Sequence, residues 1–224
     1  MNNTILITGA SRGLGLVACE SFRADGWEVL PLTRERLNHV SINPSWMIGL
    51  PEDVDVVLHC AGGGLGLKGP FLTPGQMYEL FMTNLGGAME INRRFGPLMQ
   101  AKGYGRIIHV ASIASGQAVG SVGYNTVKTA LAGYIRSLGR EMAPYGVVVT
   151  GIAPGGFYAP QNAMERLKER NPEAYEDFVK RLPRGFMGEA NELIPLLRFL
   201  ASPQSSMMGG CLVPIDAGEG YYYS

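Results

Sequence analysis

A chain of 224 residues that is 46% hydrophobic can bury the core of one larger α/β domain without disulfides or metals, and a single domain is expected. Its 19 basic and 19 acidic side chains cancel and are dispersed, which excludes the electrostatic footprint of a nucleic-acid or anionic-membrane binder and leaves small-molecule ligands. No run approaches the roughly 20 apolar residues of a membrane span, no basic leader precedes Ile5-Leu6-Ile7, and Cys19, Cys60 and Cys211 are odd in number and widely spaced, so a reducing cytoplasm is expected, with neither a disulfide framework nor a metal site.

In chain order, strands are predicted near 4–8, 27–33, 54–59, 105–111, 146–152 and 210–215, with a weaker one near 38–42. Helical periodicity fits 13–24, 73–101, 122–143 and 189–201, and more loosely 161–181. The alternation predicts a doubly wound parallel sheet covered by helices on both faces, in three layers α/β/α. No repeat or linker divides the chain, and His39, His59 and His109 are scattered and read as structural.

Directly after the first strand, Thr8-Gly9-Ala10-Ser11-Arg12-Gly13-Leu14-Gly15 opens the first helix. Gly9 suits a tight turn, Gly13 a close backbone approach to a pyrophosphate, and Gly15 contact between helix and strand, while the helix N-terminus offers free N–H groups to phosphates. The spacing is G-x-x-x-G-x-G rather than the commoner G-x-G-x-x-G. The second strand ends at Leu32-Thr33-Arg34, where an acid would meet the adenosine ribose of NAD. Arg34, with Arg12, can instead clamp a 2′-phosphate, so NADP(H) is preferred over NAD(H). Between Arg34 and Val54 a trimmed crossover is expected.

The strand Val54 to His59 runs into Cys60-Ala61-Gly62-Gly63-Gly64-Leu65-Gly66, bare backbone at the carboxyl end of a strand, where ligands dock in open α/β sheets. Asn84 falls on the apolar stripe Met77, Leu80, Phe81, Leu85, Ala88 and Met89; it can cap a local kink ahead of Gly86-Gly87 or hold a water-linked contact to a catalytic group. The strand 105–111 ends in Ser112, twelve residues before Tyr124, with Ser115 as a fallback hydroxyl. Tyr124 and Lys128 are one helical turn apart on a face that continues through Leu131, Ile135, Leu138 and Met142. A lysine on such a face needs a partner or a task; beside a phenol, it suits an acid whose pKa of about 10 the cation lowers.

Together these residues resemble the short-chain dehydrogenase/reductase family, classical type. The resemblance spans the chain: Thr8 to Gly15, Ala61-Gly62, Asn84 in T-N-L-G-G, Ser112, Tyr124-x-x-x-Lys128, Pro154-Gly155 after the strand 146–152, and the closing stretch Gly209 to Gly218. It implies a Rossmann-type domain and an NAD(P)-dependent oxidoreductase that interconverts a carbonyl and a secondary alcohol. By resemblance Asn84, Ser112, Tyr124 and Lys128 form the catalytic tetrad, with Tyr124 the general acid/base and Ser112 bonded to the substrate oxygen. Lys128 would hold the nicotinamide ribose and Asn84 a water feeding protons to Lys128. Gly9, Ser11, Arg12, Gly13, Leu14, Gly15, Thr33, Arg34, Cys60, Ala61, Gly62, Tyr124, Lys128, Pro154 and Gly155 would line the cofactor.

Three departures stand out. His59-Cys60 replaces the usual asparagine pair, the acid that meets the adenine is missing around Ser41 to Asn43, and Gly156-Phe157-Tyr158 stands where a cofactor-contacting threonine is usual. The segment from about 157 to 184 is expected to form the substrate lid, with Ser112, Tyr124, Phe157 and Tyr158 meeting the substrate. By resemblance the helices 73–101 and 122–143 build a homotetramer or homodimer. The alternatives are a catalytically silent dinucleotide-binding regulatory protein, or an epimerase or dehydratase that uses the cofactor transiently.

Overall fold

The structure, a computed structural model, describes residues 3–33 and 49–221. Arg34, the segment Ser41 to Asn43 and the strand predicted near 38–42 lie outside them. Eight strands are described: β1 (Thr4–Thr8), β2 (Glu28–Leu32), β3 (Val56–His59), β4 (Gly105–Val110), β5 (Val147–Pro154), β6 (Phe157–Tyr158), β7 (Gly188–Glu189) and β8 (Leu212–Ile215). Six form one parallel sheet in the order β2-β1-β3-β4-β5-β8. Its helices are α1 (Gly13–Ala24), α2 (Pro74–Phe81), α3 (Gly87–Lys102), α4 (Val122–Met142), α5 (Ala163–Arg170), α6 (Pro172–Lys180) and α7 (Ala190–Ala201).

Every residue of β1, β3 and β5 is buried, which explains why they read as unbroken apolar runs rather than as an alternation. Period-two geometry then divides each strand between two cores. Ile5, Ile7, Val56 and Leu58 pack with Phe22 of α1 and Leu193 and Leu197 of α7. Leu6, Val57, Ile107 and Val149 face the other way, onto Ile91, Phe95 and Met99 of α3. This is the Rossmann-type, three-layer arrangement.

The helix predicted over 73–101 is interrupted. A π-helical turn, Met82–Gly86, separates α2 from α3. Asn84 causes it: its Nδ2 donates to the Leu80 carbonyl at 2.9 Å and to the Gly63 carbonyl at 3.0 Å, and a wider turn lets one amide serve both. Gly86 tolerates the turn, since a Cβ there would lie 2.5 Å from the Met82 sulfur. The loose helix 161–181 likewise divides at Asn171-Pro172. Pro172 cannot continue α5 but suits the first turn of α6, and Asn171 Oδ1 accepts from the Ala174 N–H at 3.0 Å.

The chain leaves β1 toward β2 on one side and returns as β3 on the other, so β1 and β3 flank the switch point of the sheet. The crevice beyond their carboxyl ends receives the glycine loop after β1 and the Cys60–Gly66 loop after β3. Beside it, β6 and β7 pair in register, Phe157 with Gly188 and Tyr158 with Glu189, and clasp the two ends of the segment that carries α5 and α6.

Candidate active site

Two loops meet at the switch point. Gly9 has φ +66° and packs so tightly that a Cβ would stand 2.8 Å from the Ala61 nitrogen; the Ala61 N–H donates to Thr8 Oγ1 at 3.1 Å. Gly13 has φ +60°, a conformation that favours glycine, and a Cβ there would meet nothing nearer than Asn162 at 3.9 Å. Arg12 stands at the N-cap of α1, whose first turn holds no acid. The result is a glycine-lined cradle at a positive helix end, which fits the phosphates of a dinucleotide. Ser11 is exposed at its rim, Leu14 is buried in the core so that only its backbone faces the cradle, and Thr33 is half-buried beyond β2. One feature escapes sequence reading: the Gly13 N–H donates to the Pro160 carbonyl at 2.7 Å, so the first residues of the segment expected to form the lid reach the glycine loop.

At the end of β3, Gly62 lies where a Cβ would be 2.9 Å from Asn84 Oδ1 and 3.4 Å from Lys128 Nζ, which only glycine permits. The Asn84 side chain is committed to backbone: Oδ1 accepts from the Gly63 N–H at 3.0 Å, and Nδ2 serves Gly63 and Leu80. Of the two roles expected for it, kink-capping is the one its side-chain bonds perform. Cys60 is half-buried beside them, its thiol pushed up by burial and by the nearby Cys19 and drawn back by Lys128.

Tyr124 and Lys128 stand on the first turns of α4. Gly123 lets that helix end seat on α2, since a Cβ there would meet Leu72 at 2.4 Å and Leu80 at 2.6 Å. Asn125 braces the loop before it, accepting from the Gly120 N–H at 2.8 Å and donating to the Gln117 carbonyl. Lys128 is 3% exposed and donates to the Val110 carbonyl at 2.9 Å, with its Nζ 5.7 Å from the centre of the Tyr124 ring. Ser112 accepts from the Ala114 N–H at 3.1 Å and interacts with the Tyr124 phenol. Ser115, the fallback, is buried, and its Oγ has no hydrogen-bond partner. The structure therefore brings Ser112, Tyr124 and Lys128 together and leaves Ser115 behind them.

The expected electrostatics need correction. Burial, the larger influence, raises the Tyr124 phenol above its usual range, and the Ser112 hydroxyl only partly offsets it. Burial also lowers the Lys128 ammonium to about 8, with Cys60 acting weakly in the other direction. Loss of water penalises phenolate and ammonium alike, which raises the one and lowers the other.

At the end of β5, Pro154 is buried, and Gly155 after it is pressed against Glu219, whose Oε2 a Cβ would approach to 2.3 Å. Glu219, which sequence reasoning missed, accepts from the Gly156 N–H at the place where a threonine was expected, and burial raises its carboxyl pKa. Of the two aromatics in the segment expected to form the lid, Phe157 packs against the core and does not line the pocket among Lys168, Tyr175 and Phe186. Tyr158 does line that pocket; its hydroxyl donates to Glu165 at 2.7 Å and Lys168 lies over its ring. Among the described residues no group of three acidic, histidine or cysteine side chains could hold a metal, and no helix is long and apolar enough to cross a membrane.

Behind Lys128, His59 and His109 are buried and neutral. Burial pushes His59 down to about 4 against a weaker opposing bond from Asn92, and it pushes His109 well below its ordinary range. Since the unfolded chain binds protons near pH 6.5 and the folded one does not until about 4, stability is full above pH 6.5 and falls as the pH drops through that interval. The loss attributable to His59 is about 3 kcal/mol. Thermal melts from pH 8 to 4.5 should therefore fall less steeply for His59→Asn than for the unmodified protein; equal slopes would contradict a neutral buried ring.

Residues 50–219 match the family model described as Enoyl-(Acyl carrier protein) reductase. The chain is 30% identical to the short-chain reductase protein NovJ of Streptomyces niveus, covering 96% of this chain and 92% of that protein. It is 28% identical to the 3-oxoacyl-[acyl-carrier-protein] reductase MabA of Mycobacterium avium, covering 98% and 91%. It shares its fold with a 3-oxoacyl (acyl-carrier-protein) reductase of Agrobacterium tumefaciens solved with NADP bound, at a TM-score of 0.79 and 23% identity over 98% and 94% of the two chains. A match over most of the chain, joined to the glycine cradle at the switch point, establishes that the chain belongs to the short-chain dehydrogenase/reductase family of oxidoreductases.

Proposed function

We propose that this protein is an NADP(H)-dependent oxidoreductase that interconverts a carbonyl and a secondary alcohol, with Tyr124 as general acid/base. The observation that carries this reading is the meeting of Tyr124, Ser112 and the buried Lys128 beside the glycine cradle. The nicotinamide supplies the hydride when bound. Tyr124 gives the carbonyl oxygen its proton and Ser112 steadies that oxygen. Lys128, held by Val110, keeps a cation beside the phenol and within reach of a ribose. Gly9, Gly13, Gly15 and the N-terminus of α1 hold the phosphates; Ala61, Gly62, Pro154 and Gly155 border the same crevice. Tyr158 and the lid it belongs to meet the substrate, and Asn84 supports the site through Gly63. The protein works in the cytoplasm as a homotetramer or homodimer, for which the exposed apolar side chains of Tyr78, Phe81, Met89 and Val122 on and beside the two long helical segments provide surface.

A screen of NADPH oxidation across ketones, aldehydes, acyl-thioesters and keto-sugars tests the reaction. Turnover of at least one class is expected; cofactor binding without turnover of any would favour a regulatory role. Arg12 and Arg34 carry the cofactor preference. Replacing either with alanine should weaken NADPH binding by about tenfold or more and leave NADH binding nearly unchanged, because only the 2′-phosphate presents a dianion to a guanidinium. Titrations that show an unaltered NADPH-to-NADH ratio in both variants would remove that assignment.

A further inference from the structure

Four buried or half-buried polar side chains behind Lys128 have no part in the reaction as proposed. Strand register sets His59 of β3 opposite His109 of β4, and their rings stack with centroids 4.5 Å apart and planes 18° apart. Asn92 of α3 bridges their Nε2 atoms at the ring edges. Its Oδ1 lies 2.8 Å from His59 Nε2, and its Nδ2 lies 3.1 Å from the Tyr134 hydroxyl and 3.5 Å from His109 Nε2. An amide oxygen only accepts and an amide nitrogen only donates, so His59 carries its proton on Nε2, while His109 accepts at Nε2 and carries its proton on Nδ1. That Nδ1 is buried with no hydrogen-bond partner, a costly arrangement in a core that apolar residues could fill.

The four residues come from β3, α3, β4 and α4; three are chained to the candidate active site, and Asn92 joins those three to one another. Val110, which follows His109 directly, provides the carbonyl that holds Lys128 Nζ at 2.9 Å. Gly62, three residues after His59, sits against the same Nζ. Tyr134 lies on the helix that carries Tyr124 and Lys128. Neutrality matters as well. A carboxylate here would draw the ammonium away from the phenol and a cation would repel it, whereas uncharged rings and an amide fix direction without net charge.

We propose that the His59–Asn92–His109–Tyr134 cluster is a positioning device for Lys128, locking β3, β4, α3 and α4 at one point so that the ammonium stays on the Val110 carbonyl and in place beside Tyr124. Its consequence for turnover rests on the hydride-transfer reading, but its consequence for Lys128 does not. These are positioning residues; none touches the reacting atoms.

The test follows the Lys128 side chain by NMR in protein labelled with carbon-13 lysine, its signal identified by comparison with Lys128→Met, and compares Asn92→Leu and Tyr134→Phe with the unmodified protein. Asn92→Leu keeps volume and removes the central amide; Tyr134→Phe removes one hydroxyl and carries the test if the first variant does not fold. The Lys128 titration midpoint should move by about half a pH unit or more in Asn92→Leu and by less in Tyr134→Phe. The kcat should fall roughly tenfold with substrate KM within about twofold, as expected for a misplaced group rather than a lost contact. Folded variants that melt at lower temperature yet keep the Lys128 midpoint and kcat would reduce the cluster to a structural brace and overturn the proposal. A shifted Lys128 midpoint in a protein that turns over no carbonyl would uphold the positioning role and overturn the hydride-transfer reading instead.

Discussion

Tyr124→Phe should lower kcat by about a thousandfold while NADPH binding changes little, since general acid catalysis by a placed side chain contributes roughly 10²–10⁴ and the phenyl ring preserves packing. The half-buried phenol, raised in pKa by its burial, stays protonated at neutral pH and so is a donor ready for reduction. In the oxidative direction the same group must first lose its proton, so alcohol oxidation should climb with pH well past neutrality while carbonyl reduction does not. Steady-state kinetics in both directions from pH 6 to 10, with binding followed by NADPH fluorescence, check both statements. Turnover that survives the substitution would assign the proton to another group.

Gly15→Ala should be the most damaging small change to the cofactor cradle. The added methyl would stand 2.3 Å from the Gly9 carbonyl oxygen and 2.7 Å from its carbon, both backbone atoms that no rotamer change can move aside. Overpacking of this kind costs about 1–3 kcal/mol, and at roughly 2–4 °C per kcal/mol for a domain of this size the melting temperature should fall by several degrees. Dinucleotide affinity should fall further, by more than about tenfold, because α1 must withdraw from the loop that its N-terminus supports. Gly133→Ala is the control: it lies in α4 with nothing within 4 Å of the methyl it would add, so the change should be neutral or stabilising by up to about 1 kcal/mol. Calorimetry and NADPH titration of the two variants separate cradle geometry from general helix effects.

Much of this is legible in the chain alone. β1, β3 and β5 are buried on both faces, and such strands must be continuous apolar runs, so Ile5-Leu6-Ile7 and Val147-Val148-Val149 announce the sheet on their own. Gly9, Gly13 and Gly15 span one loop and the first turn of α1, where local sterics decide the outcome and spacing is enough. Tyr124 and Lys128 are one turn apart, and a helix gives that pairing no choice. Legibility fails where partners are distant in sequence. The π turn at Met82–Gly86 arises because Asn84 bonds Gly63, and no local pattern reveals Gly63 as its partner. Phe157 reads as a lid aromatic and packs against the core, and its strand pairs with Gly188, thirty-one residues on, which no local pattern reveals. Glu219 reaches Gly156 across sixty-three residues.

The order and spacing of residues along the chain thus determined the fold class, the glycine cradle and the Tyr124–Lys128 pair, because these depend on periodicity and on contacts within a few residues. The polarity of the site was decided only in three dimensions. Whether a lysine cation lowers a phenol's pKa depends on how much water each has lost, and burial, which spacing does not encode, raised Tyr124 and lowered Lys128. For the same reason His59 and His109, scattered along the chain, became a stacked neutral pair behind Lys128 only when parallel strands set them side by side.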